Sequence, residues 1–126
     1  MDENTVKRDL KQLGTLSRAI DSEMRASKKL EYYIKSGICT DKIKDKLAKH
    51  QAAADRFAKE ATALVAKYID AISSLVDITD RAIATEVFLN GRTYQAIGTD
   101  FYLSVDGIKY RMRGIYRQIT EYFDTK

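Results

Sequence analysis

The sequence of 126 residues contains no proline and no tryptophan. Proline disrupts helix interiors more than any other residue, so a charge-rich chain without it is typical of an all-α protein. The single cysteine, Cys39, and the single histidine, His50, cannot form an internal disulfide or complete a metal site of ordinary ligand count. A glycine-rich phosphate loop is also missing, so the sequence predicts neither an enzyme nor a cofactor.

Long hydrophobic runs are absent as well. No stretch approaches the roughly 20 apolar residues that cross a bilayer, and the first residues, MDENTVKRD, are too charged for a signal peptide. An unpaired cysteine suits a reducing compartment. Together these features predict a soluble cytoplasmic protein with no membrane partner.

Charge is abundant but unevenly distributed. The formal net charge is +4, and residues 1–76 carry 15 basic side chains against 11 acidic ones. Residues 77–126 carry seven of each. A basic chain suits a polyanionic partner, but any positive surface in the neutral C-terminal part must come from local arrangement.

Apolar spacing predicts two long helices. Gly37 suits the end of the first helix, over residues 3–36, and Thr40 suits the N-cap of the second, from Asp41 to about Leu75. The first helix has a narrow apolar stripe: Val6, Leu10, Leu13, Ile20, Met24 and Ile34. The second has a stricter, coiled-coil-like seam: Ile43, Leu47, His50, Ala54, Phe57, Ala61, Leu64, Tyr68, Ala71 and Leu75.

These helices predict an all-α fold in which residues 1–76 form a long antiparallel hairpin. Two helices bury only part of their apolar surface, so a further surface must cover them. We expect a homodimer through the hairpin, and the alternative is a hairpin folded back on the chain's own C-terminal head. His50 is interpreted as a polar, register-setting residue of the seam and not as a metal ligand or a pH sensor.

Three shorter helices are predicted in residues 77–126. Asp77 or Thr79 caps the first, a helix of about eight residues follows, and Ser104 caps the last. A short helix, a tight turn and a longer helix make a helix-turn-helix. The sequence therefore predicts a trihelical DNA-binding head with its recognition helix at about residues 105–119, lying in the major groove.

The steric requirements of this motif are met by small and apolar residues. Ile97 followed by Gly98 permits a close helix crossing, Leu103 closes the turn, and Ile108 points into the core. Tyr102 occupies the turn position where glycine is usual. Glycine is usual there because the backbone takes a positive φ, which disfavours a bulky residue.

The face of the last helix opposite Ile108 has the chemistry for reading DNA. We expect Arg113 to pair with guanine, Tyr110 to meet a thymine methyl or a phosphate, and Asp106 to accept from cytosine. The predicted phosphate contacts are Arg92, Thr93, Gln95, Ser104, Lys109 and Arg117. The alternative is an ordinary helix with a solvated charged face.

The segment YQAIGTDFYLSVDGIKYRMRGIYRQI resembles the −35-reading domain (region 4) of primary sigma factors. It is more similar to small phage regulators with sigma-like heads, such as the ArpU and RinA late-gene activators. The resemblance spans roughly Asp77–Phe123 and rests on Tyr94, Ile97, Phe101, Leu103, Ser104, Ile108 and Ile115. It implies DNA binding through the last helix and transcriptional control of phage or prophage genes in a bacterial host cell.

Two further interpretations stay open. One is a small terminase subunit that binds packaging-site DNA as a ring. The other is a protein-interaction module that contacts RNA polymerase through the hairpin. Arg111 departs from the family pattern, which often has an apolar residue there, and leaves Met112 to fill the core. Gly107 and Gly114 each weaken the last helix by about 1 kcal/mol relative to alanine.

Overall fold

A computed structural model describes residues 1–125, and these form five α-helices and no β-strand. The helices are α1 (Glu3–Lys35), α2 (Asp41–Ser73), α3 (Ile78–Ala84), α4 (Tyr94–Phe101) and α5 (Val105–Asp124). Helix α3 continues directly into a π-helical turn, Thr85–Leu89, which the sequence did not predict. The predicted all-α fold, with a long N-terminal hairpin followed by three shorter helices, is confirmed. Lys126, the last residue of the predicted head, lies outside the described residues.

Local capping chemistry sets the ends of the hairpin helices. The Asp2 carboxylate accepts from the Thr5 backbone N–H at 2.8 Å and starts α1. Gly37 has a φ of +92°, which glycine adopts readily, and it follows the end of α1. Thr40 Oγ1 then accepts from the Ile43 N–H at 3.2 Å and starts α2. The break between the two helices therefore lies where the sequence predicts it, between Lys35 and Asp41.

The two ends of the hairpin are buried to different extents. We call residues 3–20 with 57–75 the proximal half, and residues 21–56 the distal half. The apolar stripe is buried in the proximal half, at Val6, Leu10, Leu13, Tyr68, Ala71 and Leu75. In the distal half Met24 is 49% exposed and Leu47 is only half-buried. A further surface therefore covers one half of the hairpin and leaves the other open.

That further surface is the C-terminal part of the same chain. Helices α3 and α5 and the π-helical turn pack against the proximal half and extend its core without interruption. The buried apolar residues of this C-terminal part, of which Ile97 belongs to α4, are Ile83, Ala84, Phe88, Ile97, Ile108, Met112, Ile115, Tyr116 and Ile119. This is the folded-back arrangement that the sequence left open. The homodimer and the division of the chain at residue 76 stay predictions.

Two polar contacts fix α1 against α2. Asp9, 8% exposed, accepts from the Tyr68 hydroxyl at 2.6 Å and from the Lys67 ammonium at 3.0 Å. Burial opposes ionisation of Asp9, but these two hydrogen bonds and the positive charges of Lys67 and Arg8 together outweigh it and hold the pKa of the carboxyl below its usual value. Farther along, His50 Nδ1 lies 2.5 Å from Glu23 Oε2, a cross-helix contact suited to setting the register.

Candidate nucleic-acid interface

Helices α4 and α5 form a helix-turn-helix whose two N-termini are capped by hydroxyl side chains. Thr93 Oγ1 accepts from the Ala96 N–H at 3.2 Å, and Ser104 Oγ accepts from the Gly107 N–H at 3.0 Å. Both caps satisfy backbone donors that would otherwise lack an intrahelical partner. The hydroxyls stay at the surface, at the start of each helix.

The turn between α4 and α5 depends on glycine at one position. A Cβ on Gly98 would lie 2.4 Å from the Leu103 carbonyl oxygen, so any other residue forces the turn to move. Ile97 and Ile108 are fully buried on either side, as predicted. Tyr102 adopts the left-handed conformation, with φ +57° and ψ +39°, and is 96% exposed. A bulky residue therefore does occupy the positive-φ position, with a local cost of about 1–2 kcal/mol.

The outward side of α5 carries the residues that the sequence assigned to DNA reading. Asp106, Lys109, Tyr110, Arg113 and Arg117 are all exposed, whereas Ile108, Met112, Ile115 and Ile119 are buried on the other side. Within residues 1–125, none of the five makes an ion pair or a side-chain hydrogen bond. We call these five residues the recognition face. Its three cations and one carboxylate are available to a partner.

A cleft borders the recognition face at Tyr110, Arg113 and Arg117. Its lining also includes Asp80, Leu103, Gly107, Arg111 and Gly114. A Cβ on Gly114 would have no neighbour closer than 3.9 Å, the amide nitrogen of Gln118. The fold therefore does not require glycine at this position. Its effect is to leave the helix backbone uncovered next to Tyr110 and Arg117.

Arg111 belongs to the fold and not to the recognition face. Its Nη1 lies 2.9 Å from Asp80 Oδ1 and 3.6 Å from Asp77 Oδ1, so it ties α5 to the first turn of α3. Asp77 in turn caps α3 by accepting from the Asp80 N–H at 2.9 Å. Met112, 2% exposed, fills the core as the sequence predicted. An arginine is thus accommodated where an apolar residue was expected.

Arg92, one of the predicted phosphate contacts, is already bound within the protein. Its Nη1 lies 2.9 Å from Glu86 Oε2 and 2.5 Å from Asp100 Oδ2. Hydrogen bonds to Glu86 and then Asp100 raise the pKa of the guanidinium above its ordinary value. Arg92 therefore differs from Thr93 and Gln95 beside it, which are exposed at the start of α4.

The zero net charge of residues 77–126 conceals an uneven distribution. Four of their seven carboxylates pair with Arg92 and Arg111, and a fifth, on Asp124, lies 3.7 Å from the N-terminal ammonium. Most of the negative charge of residues 77–126 is therefore already paired with cations of the protein. The cations left without an ion pair on α5, within the described chain, are Lys109, Arg113 and Arg117.

Sequence reasoning missed the contribution of α1 to this surface. Because the head folds back on the hairpin, Lys7 and Lys11 of α1 lie beside Lys109 and Arg113 of α5, across one shallow groove. The signal was present in the sequence, since basic residues at positions 7, 11 and 18 share one side of a helix. The spacing alone does not indicate a DNA-facing surface, because only the packing of the head places this side of α1 beside α5.

Other kinds of site find no support in the described part of the chain. Residues 1–125 contain no group of three metal-binding side chains, and no helix among them has the length and apolar character to span a bilayer. Comparison with protein-family models, curated proteins and solved structures found no match to the chain. The resemblance to sigma-like phage regulators therefore rests on the residues that suggested it.

Proposed function

We propose that this protein is a sequence-specific DNA-binding regulator that inserts α5 into the major groove. The observation that carries the proposal is the recognition face, where Lys109, Arg113 and Arg117 are exposed without an ion pair in residues 1–125. Arg92 and Arg111, by contrast, are held by carboxylates of the protein. Unpaired arginines on a helix held by a tight turn suit a polyanion with readable base edges.

The dimensions of α5 fit that role. A helix with its side chains is about 10–12 Å across, and the major groove of B-DNA is about 12 Å wide. In a helix-turn-helix the N-terminal part of the second helix meets the bases, which puts Asp106, Tyr110 and Arg113 nearest to them. The remaining cations and the cap hydroxyls meet phosphates, which fix the register. The proposed phosphate contacts are Lys109, Arg117, Thr93, Ser104 and Gln95, the last at the start of α4.

The resemblance to sigma-like phage regulators supports a proposal for the biological role. The protein controls transcription of phage or prophage genes in the bacterial cytoplasm, and it does so as a homodimer that spans two half-sites. Since the head covers the proximal half of the hairpin, the dimer contact lies in the distal half. Met24, Tyr32 and Ile38 are exposed there and offer apolar surface to a second copy.

The test begins with selection of preferred duplexes from a random library by the full-length protein. Binding to the selected duplex and to a scrambled one is then compared by fluorescence anisotropy at several salt concentrations. We expect the selected duplex to bind at least about a thousandfold more tightly, as specific sites generally do. Equal affinity for both duplexes would refute sequence-specific recognition.

Arg113→Ala sharpens this test. Loss of a bidentate contact to guanine removes about 1–3 kcal/mol of discrimination at one base pair, which is roughly 5- to 150-fold. The matched control is Arg81→Ala, because Arg81 is exposed on α3 and lines a different surface with Ile78 and Phe101. We expect the control to keep the wild-type preference. A preference that survives Arg113→Ala unchanged would remove Arg113 from the base contacts.

A further inference from the structure

The groove between α1 and α5 is lined mainly by basic side chains. It is lined by Lys7, Lys11, Tyr94, Lys109, Met112, Arg113 and Tyr116. Four of these seven side chains are cations, and no carboxylate of the described chain lines the groove. Its volume is about 160 Å³, below the roughly 300–1,000 Å³ of small-molecule pockets. The groove therefore suits single charged groups presented by a larger partner.

The basic surface continues along α1 toward the start of α4. Lys11 also lines a second depression with Arg18, Arg92 and Thr93, and this one too has no carboxylate among its described lining residues. Arg18 is held in place by uncharged acceptors: its Nη1 lies 3.5 Å from the Gly91 carbonyl. Its Nη2 lies 3.2 Å from a threonine hydroxyl of α1. Its charge is therefore not neutralised, unlike that of Arg92.

Lys7, Lys11 and Arg18 form what we call the α1 ridge. At about 100° per residue they fall within roughly 40° of one another around the helix, and they span about 16 Å along it. Lys7 makes a long ion pair of 4.0 Å with Glu3 and lies over the Tyr116 ring. Lys11 makes no side-chain contact with a charged group in residues 1–125. A row of cations at this spacing complements the evenly repeated phosphates of a nucleic-acid strand.

The ridge and the recognition face are joined by Arg113. This side chain lines the groove beside Lys7 and Lys11, and it also lines the cleft beside Tyr110 and Arg117. The groove and the cleft therefore meet at Arg113, and the one carboxylate that lines the cleft, on Asp80, is paired with Arg111. A partner that occupies the recognition face reaches the ridge without crossing a carboxylate of the groove lining.

We propose that the α1 ridge is a second DNA contact, which binds the phosphate backbone flanking the groove that α5 enters. The inference rests on the proposed function and extends it to the hairpin. It accounts for how a head with no net charge binds DNA, because phosphate neutralisation supplies much of the affinity and the ridge adds cations from outside the head. The hairpin is then part of the DNA-binding surface as well as a scaffold.

The test compares two double variants that remove the same charge at the same spacing. Lys7→Gln with Lys11→Gln removes two of the three ridge cations, and Lys42→Gln with Lys46→Gln neutralises two exposed lysines of α2 in the distal half. Each full-length protein is titrated against a fluorescein-labelled random-sequence 30-bp duplex between 50 and 200 mM KCl. Circular dichroism at the assay temperature establishes that each variant is folded. If the ridge double variant is unfolded, the single variant Lys11→Gln replaces it in the titration.

We expect the ridge variant to reduce the slope of log affinity against log salt by about 1.8, or about 0.9 for each lost phosphate contact. Lys11→Gln alone reduces it by about 0.9, and the α2 variant keeps the wild-type slope. Equal slopes for the ridge and α2 variants would overturn the proposal. The proposal would also be overturned if an acidic peptide bound the wild type but not the ridge variant, while the ridge variant kept the wild-type salt slope for DNA.

The outcomes separate this inference from the proposed function. An unchanged slope in the ridge variant, together with loss of base preference in Arg113→Ala, removes the ridge and keeps the major-groove reader. A reduced slope with no sequence preference in the wild type keeps the ridge and removes sequence-specific recognition. Absence of any duplex binding by the wild type removes both.

Discussion

The two sides of α5 use arginine in opposite ways. On the side that faces α3, Arg111 is fixed by Asp77 and Asp80 and is about one-third exposed. On the outward side, Arg113 and Arg117 are exposed and have no ion pair in the described chain. The same residue type therefore stabilises the fold on one side and is available to a partner on the other. Position on the helix, and not composition, separates the two roles.

The largest effect that separates the two sides is expected for Arg111→Ala. The Asp80 side chain is only 13% exposed and would lose its cation, so we expect the free energy of unfolding to fall by about 2 kcal/mol. Urea denaturation measures the change. Arg113→Ala, on the outward side, should change stability by less than about 0.5 kcal/mol, since it breaks no ion pair or side-chain hydrogen bond within residues 1–125.

DNA binding completes this comparison. At a temperature where Arg111→Ala is still folded, we expect it to bind the selected duplex as the wild type does. A double-mutant cycle with Asp80→Ala measures the coupling between the two residues, because the second mutation removes the carboxylate that the first leaves unpaired. A loss of DNA binding without a loss of stability would place Arg111 with the outward arginines and break the distinction.

The sequence predicted the features that depend on neighbours in the chain. The helix start at Ser104, and the start at Asp77 as one of two candidates with Thr79, follow from side chains that cap nearby N–H groups. The Gly98 crossing follows from the spacing of the motif. The all-α class and the hairpin follow from apolar periodicity over more than 30 residues in each helix. Local chemistry of this kind is legible without knowledge of the tertiary structure.

What the sequence did not predict depends on residues far apart in the chain. The α1 ridge lies about a hundred positions from Arg113, and only the packing of the head on the hairpin brings them together. The pairing of Arg92 with Glu86 and Asp100 joins residues only six and eight positions apart, but it too depends on the fold, because it requires α4 to meet the π-helical turn. The spacing of residues along one helix cannot reveal whether a cation forms an ion pair with a carboxylate of another element.

A smaller effect tests whether Gly114 serves the recognition face. An added Cβ meets only flexible side chains, at 3.9 Å or more, so Gly114→Ala should raise the free energy of unfolding by about 1 kcal/mol through higher helix propensity. If the bare backbone admits DNA closely, the same change should weaken binding to the selected duplex. Stability is read by urea denaturation and affinity by anisotropy. A variant that is more stable and binds equally well would leave Gly114 without a functional role.

The smallest expected effect concerns Tyr102, at the turn that sets the angle of α5. Its φ of +57° favours glycine, and its ring is 96% exposed, so Tyr102→Gly relieves strain and loses little packing. Glycine also gains entropy in the unfolded chain, which offsets part of the benefit. We therefore expect a rise of about 0.5 kcal/mol in the free energy of unfolding, measured by urea denaturation, and unchanged affinity for the selected duplex. A stabilised variant that loses DNA binding would show that the exposed ring meets the partner, and the recognition face would then extend from α5 onto the turn.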